Sequence, residues 1–315
     1  NFASTATVEY DDDGTDRVVV MRLDSTLSTV ISSLQFVTEK KLHVNHTVVR
    51  SDGSVVMAGT TDDEKIQTSP TAMQAIAGGD DDGFMLVLAQ DLRSVLYATY
   101  AGGDADDEIV RVIALSDEEF VLVGSTKSAD LPGAPVAERD HRGASVQVMS
   151  ISGGLIRTTM IEGDDDVRPV DAQQGPSGNV IVGGTSESAL LPASVGSYSA
   201  TKAGATDGFV SIVDAAGTVI ASSYLGSSDA DTVRSICVDE DGNICVAIET
   251  SGSLATTADA MQSGPQGAID AAVCILSADL KHMNYGSYVA GSGLDMPRWL
   301  STNRDAEFVL CGQTT

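Results

Sequence analysis

Short apolar stretches separated by turn residues recur along the chain with a spacing of about 63 residues. The stretch that starts at Asp82 reads Asp-Gly-Phe-Met-Leu-Val-Leu, and related stretches start at Asp207 and Asp270. These stretches are rich in Val, Ile, Leu and Tyr, which suit a pleated, half-buried surface. The chain has no long segment with helical periodicity. The pattern therefore predicts an all-β fold with four short strands in each repeat.

Turn-forming residues join one pair of strands in several repeats. Residues 50–53 read Arg-Ser-Asp-Gly, residues 239–242 read Asp-Glu-Asp-Gly, and residues 176–179 read Pro-Ser-Gly-Asn. Gly adopts a positive φ without steric penalty, and Asn and Asp tolerate it better than most residues. Each segment lies between two apolar runs, so we predict a β-hairpin at each of them.

A repeat longer than about 40 residues that contains several short strands is typical of a β-propeller. The chain starts with strands that match the third and outermost strands of a repeat, and it ends with strands that match the innermost and second strands. We therefore predict a single domain over residues 1–315, a five-bladed β-propeller of four-stranded blades. One blade would be shared by residues 1–36 and 298–315, and the others would span about 45–100, 111–160, 168–224 and 234–288. Closure of this kind removes exposed sheet edges.

Some details of these motifs are similar to a known repeat. Asp207-Gly-Phe-Val is followed by Tyr224-Leu-Gly, and the loops contain Pro70-Thr-Ala-Met-Gln and Asp259-Ala-Met-Gln. Together they resemble the bacterial SBBP-type β-propeller repeat, although Ala144-Ser-Val-Gln-Val replaces the Asp-Gly-Phe motif in the third repeat. The resemblance implies a propeller that is usually exported and has no fixed activity. We therefore expect an extracellular or cell-surface location.

The charge of the chain restricts its partners. A formal net charge of -27 arises from 45 acidic and 18 basic residues among 315. Such a surface repels nucleic acid and anionic lipid, because both require clustered Lys and Arg. No apolar run approaches the roughly 18 residues of a membrane span, so we expect no membrane insertion by this segment. The partners that remain are other proteins and glycans.

Arginine recurs at one position when the repeats are aligned on the start of the innermost strand. The first repeat has Asn45 there, and the other four have Arg111, Arg168, Arg234 and Arg298. Each Arg follows a carboxylate by three residues, namely Glu108, Asp165, Asp231 and Asp295. One interpretation is an ion pair that holds the loop before each blade. The other is a ring of guanidinium groups that binds an anion or a carboxylated sugar at the mouth of the central channel.

The next position of the same alignment holds two residues that suit sugar binding. It is occupied by His46, Val112, Pro169, Ser235 and Trp299. Trp299 is the single Trp of the chain, and its blade would neighbour that of His46 after closure. A Trp beside an imidazole could stack on a sugar ring, and the alternative is that Trp299 belongs to the core.

Acidic loops raise the question of calcium, the one cofactor that the sequence suggests. The candidate ligands are Asp104, Asp106, Asp107, Asp229 and Asp231. Calcium requires six to eight oxygen ligands, and none of these loops matches the twelve-residue EF-hand pattern. Weak calcium sites and simple solvated turns are both open interpretations.

The four cysteines show no metal-binding or redox spacing. Cys237, Cys245, Cys274 and Cys311 each lie in an apolar, strand-like run, which predicts buried free thiols. Cys245 and Cys274 would lie on adjacent strands of one blade, so a disulfide between them is the alternative.

The sequence offers little support for catalysis. Propeller glycosidases need carboxylates that converge from different blades, and the innermost strands provide Asp171 and, at a strand end, Asp239. The four His residues are scattered along the chain. We therefore predict that the protein is not an enzyme but an extracellular binding or scaffold module for protein assembly. A carbohydrate-binding propeller and a degenerate glycosidase are the alternatives.

Overall fold

The computed structural model describes residues 16–38, 40–303 and 307–315. In these residues the regular structure consists of twenty β-strands and one short 3-10 turn at Pro176–Gly178. The predicted all-β fold is confirmed. No helix in the described ranges is long and apolar enough to cross a membrane.

The chain divides into two compact units, which are described separately. The first comprises residues 1–140 and 145–158, and the second comprises residues 141–144 and 159–315. The first fifteen residues, which belong to the predicted shared blade and include its Asp11–Asp13 loop, lie outside the described residues.

The first unit contains a two-stranded sheet, β1–β2, and the four-stranded sheet β3-β4-β5-β6. A second four-stranded sheet, of order β10-β9-β8-β7, falls mostly within this unit. The strands are β1 (Asp16–Leu23), β2 (Val30–Thr38), β3 (Leu42–Val49), β4 (Val55–Thr61), β5 (Asp82–Leu88), β6 (Val95–Ala101), β7 (Asp107–Ala114), β8 (Glu119–Thr126), β9 (Gly143–Ser150) and β10 (Gly154–Ile161).

The second unit contains the four-stranded sheets β11-β12-β13-β14 and β15-β16-β17-β18, followed by the two-stranded sheet β19–β20. The strands are β11 (Val167–Gln174), β12 (Val180–Ser186), β13 (Asp207–Val213), β14 (Val219–Leu225), β15 (Asp231–Val238), β16 (Ile244–Thr250), β17 (Asp270–Leu276), β18 (Met283–Tyr288), β19 (Asp295–Thr302) and β20 (Phe308–Thr314). In both complete sheets every adjacent pair of strands is antiparallel.

The described strands therefore form six sheets rather than five four-stranded blades. The four central sheets agree with the predicted propeller-like pattern of four strands per repeat. The predicted shared blade is not among the sheets, because β1–β2 and β19–β20 are separate two-stranded sheets. The prediction considered only the phase of the sequence repeat, which shows what each hairpin resembles and not whether the two hairpins pair.

The central strands of each sheet are buried on both faces because apolar side chains from neighbouring sheets pack against them. All seven residues of β5 and all seven of β13 are buried. In the first unit Phe84 and Leu86 pack with Leu34 of β2, and in the second unit Val210 packs with Ile236 of β15. Burying each such side chain contributes about 1.5–3 kcal/mol to folding.

The glycines of the two predicted Asp-Gly turns adopt the positive φ on which the prediction was based. Gly53 has φ +81° and Gly242 has φ +82°, values at which a side chain would be strained. Asp239 stabilises its turn further, because its Oδ1 accepts a hydrogen bond from the backbone N of Asn243 at 2.8 Å. These turns join the first and second strands of their sheets.

A buried tyrosine holds the long loop that follows the second strand in three of the sheets. The hydroxyl of Tyr224 donates to the carbonyl of Ser188 and accepts from the backbone N of Leu191, both at 3.0 Å. Tyr100 and Tyr288 make the corresponding bonds to their own loops. Backbone bonds from the same loops also reach the last strand, so each loop covers part of the outer sheet edge.

Candidate functional site

The first strand of each sheet from β3 onward contains a β-bulge near its middle. The bulges lie between Val44 and His46, Ile109 and Arg111, Pro169 and Asp171, Val233 and Ser235, and Pro297 and Trp299. The residue after each bulge occupies the same position in the pairing of the first strand with the second, and this position is called the register below. It is occupied by His46, Arg111, Asp171, Ser235 and Trp299. Bulges often redirect a side chain beside a functional site. In each unit this position therefore marks a candidate site, and the two units are described separately.

In the first unit the register holds a neutral imidazole beside a buried guanidinium. Nδ1 of His46 accepts a hydrogen bond from the backbone N of Val112 at 3.4 Å, so its proton lies on Nε2. Burial lowers the pKa of His46 to about 4, and the positive charge of Arg111 contributes to the same shift. Arg111 is 7% exposed. His46 therefore does not titrate near neutral pH.

In the second unit the register forms a chain of hydrogen bonds across three consecutive first strands. Oδ2 of Asp171 accepts from Oγ of Ser235 and from the backbone N of Ile236, both at 2.9 Å. Oγ of Ser235 accepts in turn from the backbone N of Leu300 at 3.1 Å. Asp171 and Ser235 are fully buried. These hydrogen bonds link β11 to β15 and β15 to β19. Asp171, which we considered for glycosidase chemistry, therefore accepts hydrogen bonds that hold neighbouring strands together.

Trp299 differs from the other members of the second unit because it is 40% exposed. It lies opposite Cys311 on β20. The preceding residue, Arg298, is exposed and donates from Nη2 to Oε1 of Gln313 at 3.3 Å. The partly exposed indole beside an exposed guanidinium can contact a planar or polar ligand.

The register shows that the arginine alignment used in the sequence analysis is wrong for two repeats. The residue in the bulge is Asn45 in β3, Arg234 in β15 and Arg298 in β19, but it is Val110 in β7 and Val170 in β11. Arg111 lies one position later and Arg168 lies two positions earlier. Alternate residues of a strand face opposite ways, so a shift of one residue moves a side chain to the other face. The aligned arginines are not a ring of equivalent residues, and Val112 and Pro169 are not equivalent to His46.

The predicted pairing of each Arg with the carboxylate three residues before it is also wrong where the partners are known. Nε and Nη2 of Arg234 each donate to the carboxylate of Glu249 at 3.0 Å. Arg168 donates to Asp166, and not to Asp165. Residues three apart on a strand point to opposite faces, whereas cross-strand neighbours share a face. The arginines therefore find partners beside them in the sheet or in the preceding loop.

The acidic residues considered for calcium do not converge on one point. Oδ2 of Asp107 accepts from the backbone N of Gly103 and from Oγ of Ser128, both at 2.6 Å. Asp106 forms an ion pair with Lys127 at 3.7 Å, and Oδ1 of Asp104 accepts from the backbone N of Ala129 at 3.2 Å. Asp231 accepts from the backbone N of Ser227, and Asp229 accepts from Oγ of Ser228. Within the described ranges, no group of three or more His, Cys, Asp or Glu side chains is placed to hold a metal ion.

The sequence analysis missed a pair of buried carboxylates in the first unit. A Cβ placed on Gly102 would lie 2.1 Å from Oδ1 of Asp82 and 2.8 Å from Oδ2 of Asp107. The two oxygens are thus no more than about 5 Å apart, where each negative charge disfavours the other. Both residues are buried, and Oδ1 of Asp82 has no hydrogen-bond partner.

The same pattern of carboxylates recurs in the second unit. Asp207 and Asp231 occupy the equivalent strand starts, and so do Asp270 and Asp295. All four are buried. The third repeat has Gly143 and Val167 instead, so both carboxylates are missing together. Asp at the first residue of the third and first strands was the available signal. The sequence analysis used the third-strand Asp only to mark the repeat, and it considered the first-strand Asp as a partner of Arg or a ligand of calcium.

Comparisons with known proteins give no closer identification. No protein family matches the chain, and no curated protein is similar to it in sequence. Among solved structures it is similar to hydrazine synthase of Kuenenia stuttgartiensis, with a TM-score of 0.46 and 12% identity over 87% of this chain and 75% of that chain. It is also similar to puromycin hydrolase, with a TM-score of 0.36 and 12% identity over 85% of this chain and 42% of that chain. The chain thus spans less than half of the puromycin hydrolase chain. The class that the fold defines is an all-β protein of repeated, propeller-like sheets.

Proposed function

We propose that the protein is a non-catalytic binding scaffold, exported from the cell, and built as a closed five-bladed β-propeller. In this proposal β19 and β20 supply the first and second strands of the fifth blade, and β1 and β2 supply the third and fourth. The SBBP-type resemblance supports export and the absence of a fixed activity. The architecture and the binding role rest on separate observations.

The local geometry of β1–β2 supports its assignment as a third-and-fourth-strand hairpin. Its register shifts between Arg22 and Leu23, as the β17–β18 register shifts at the end of β17. Leu27 in its turn has φ 57°, and Leu92 and Leu280 at the same place in the β5–β6 and β17–β18 turns have φ 58°. Leu92 and Leu280 are buried, whereas Leu27 is 76% exposed. Leu27 is exposed because β1–β2 is a separate two-stranded sheet in this structure, without the first and second strands of a blade beside it.

The geometry of β19–β20 supports the complementary assignment. Its bulge before Trp299 matches the bulges of the other first strands. The backbone N of Asn303 donates to the carbonyl of Glu307, as Asp239 donates to Asn243 in the β15–β16 turn. The second strands β4, β8, β12 and β16 are almost wholly buried, but six of the seven residues of β20 are exposed. Pairing of β20 with β1 would cover this edge.

Closure can be tested with the native thiol of β20. If β20 pairs with β1 as β16 pairs with β17, Cys311 lies directly opposite Val20. We expect Val20→Cys to form a disulfide with Cys311 on mild oxidation, because directly opposed residues lie within disulfide range. Met21→Cys, whose side chain would face the other way, is the control. An unlinked Val20→Cys, or equal linking of both variants, would contradict closure.

The observation that carries the binding role is a repeated aliphatic side chain at the outer strand of several sheets. Ile31, Leu96 and Ile220 each lie in the bulge near the start of their strand and are 54%, 54% and 50% exposed. Asn284 takes this place in β18, and Ile156 near the start of β10 is 48% exposed. Single exposed aliphatics are ordinary, but repetition at one structural position gives several equivalent contact points. With a net charge of -27 around them, they suit a basic protein partner with apolar contact residues.

The binding role can be tested by substituting the residue that one sheet already uses. One variant replaces Ile31, Leu96 and Ile220 by Asn, the residue that β18 has at this position in Asn284. The control variant replaces the exposed loop residues Val136 and Val195 by Asn. Proteins cross-linked to each variant at the surface of the source cells are quantified by mass spectrometry. We expect one basic partner to be lost with the outer-strand variant and retained with the loop variant. Equal recovery with both variants would refute this role.

Carbohydrate binding is the second candidate, favoured by the partly exposed ring of Trp299. Aromatic faces bind the apolar side of sugar rings, and Arg298 could pair with a carboxylated sugar. Binding to a glycan array that disappears with Trp299→Ala and persists with Leu27→Ala would support it. An array with no binding, or binding unaffected by Trp299→Ala, would eliminate it.

A further inference from the structure

We propose that Cys237 and Cys245 form a cross-strand disulfide when the protein folds in an oxidising environment. The pair would be a redox modification site within the β15–β16 hairpin. Two alternatives, an unmodified thiol pair and a disulfide elsewhere, are separated by the experiment below.

The register of the hairpin places the two cysteines directly opposite each other. Cys237 of β15 is the Cα partner of Cys245 of β16 in an antiparallel pair. Such partners have Cα atoms about 4.5–5.5 Å apart, within the range of about 4.4–6.8 Å that disulfides span. Both side chains belong to the same buried apolar cluster, so they lie on the same face of the hairpin. The register of the hairpin therefore meets the Cα–Cα requirement of a disulfide.

The remaining cysteines are placed where they cannot compete. Cys274 is the partner of Val246, so it points to the face opposite that of Cys245 and belongs to another apolar cluster. The alternative of a disulfide between Cys245 and Cys274 is therefore wrong. Cys311 lies on β20 opposite Trp299 and is exposed. Selectivity for the Cys237–Cys245 pair follows from the alternation of side chains along β16.

The surroundings of the pair favour a bond that persists once formed. Cys237 and Cys245 are 7% and 2% exposed, and they form an apolar cluster with Ala247 and Leu300, against which Leu310 packs. Leu300 and Leu310 belong to β19 and β20, so the bond would stiffen the hairpin against which the last sheet packs. Burial also restricts access of reductants. We therefore expect the disulfide to form during folding or local opening of the hairpin.

The chemistry requires one oxidant, which we assign to the class of small-molecule disulfides. Hydrogen bonding from Cys245 lowers the pKa of Cys237, while burial and the charges of Asp171 and Asp239 oppose that shift. The Cys237 thiolate attacks one sulfur of the oxidant and releases one small thiol. The sulfur of Cys245, after losing its proton, then attacks the Cys237 sulfur and displaces the second small thiol. The protein loses two electrons and two protons, and the oxidant is reduced to two thiols.

The test is refolding in a glutathione redox buffer, followed by alkylation of free thiols under denaturing conditions. Trypsin leaves Cys237, Cys245 and Cys274 on one peptide, because no Lys or Arg lies between Arg234 and Lys281. Additional cleavage after Glu240 and Glu249 separates the three. We expect the peptides with Cys237 and Cys245 to be linked and unalkylated.

Variants distinguish a specific bond from a folding artefact. Cys274→Ser should refold with the same linked peptides, whereas Cys237→Ser should leave Cys245 alkylated and should remove any change in melting temperature on reduction. Full alkylation of both cysteines in the refolded wild-type protein would overturn the proposal. Linkage that persists in Cys237→Ser, through Cys274 or Cys311, would overturn it as well.

Discussion

The buried carboxyl group of Asp107 should make the free energy of unfolding depend on pH. Burial raises the pKa of Asp107 to about 6 from its ordinary value of 3.8, and the negative charge of Asp82 adds to the shift. Hydrogen bonds from Ser128 and from the backbone N of Gly103 oppose it. A carboxyl whose pKa is higher in the folded than in the unfolded state binds its proton more tightly when folded. Its protonated form therefore stabilises the protein fully below pH 3.8, and this contribution is lost as the pH rises through about 6.

The magnitude follows from the size of the shift. A change from 3.8 to about 6 corresponds to a maximum of about 3 kcal/mol in the free energy of unfolding. Between about pH 7.5 and about pH 4.5, where the unfolded chain is mostly still ionised, the expected part is about 2 kcal/mol. Asp107→Asn keeps an oxygen that can accept from Gly103 and Ser128 but carries no charge. We therefore expect it to stabilise the protein near neutral pH and to lack this pH-dependent gain.

The assay is urea unfolding followed by circular dichroism, with wild type and variant compared at both pH values. The difference between the two proteins isolates Asp107, because the other carboxylates titrate in both. Asp80→Asn, at an exposed position in the same region, controls for the loss of one negative charge. The reasoning is refuted if the difference between wild type and Asp107→Asn is independent of pH. It is equally refuted if Asp80→Asn reproduces the effect.

The contacts of two side chains and the net charge lead to three further predictions. Arg234→Met should cost about 1 kcal/mol because it leaves Glu249 partly buried without its partner, and the double variant with Glu249→Leu should recover part of the loss in a double-mutant cycle. Tyr224→Phe should cost about 1–3 kcal/mol in urea unfolding, because the buried backbone groups of its loop lose their hydroxyl partner; an unchanged midpoint would contradict the role of the tyrosine. Sodium chloride should raise the melting temperature by screening the charge of -27. Calcium should exceed magnesium at equal ionic strength only if Asp104 or Asp229 binds it, so equal responses would leave screening as the explanation.

The sequence alone determined the strands and their turns, because these depend on residues close together along the chain. Short apolar runs bounded by turn residues located strands such as β5 and β13, and Asp-Gly located the turns with Gly53 and Gly242. The repeat also showed that β1–β2 resembles one half of a repeat and β19–β20 the other. The repeat did not determine whether the two halves form one sheet, because the pairing of distant strands depends on the path of the whole chain.

Only the tertiary structure decided which side chains meet. The bulge in each first strand adds one residue without a mark in the sequence, so an alignment by residue type misplaced Arg111 and Arg168. Arg234 pairs with Glu249, and Cys237 faces Cys245, because contacts in a sheet run across strands. Asp82 and Asp107 are 25 positions apart in the chain, and only the approach of two strand starts around Gly102 places their charges together in a buried environment.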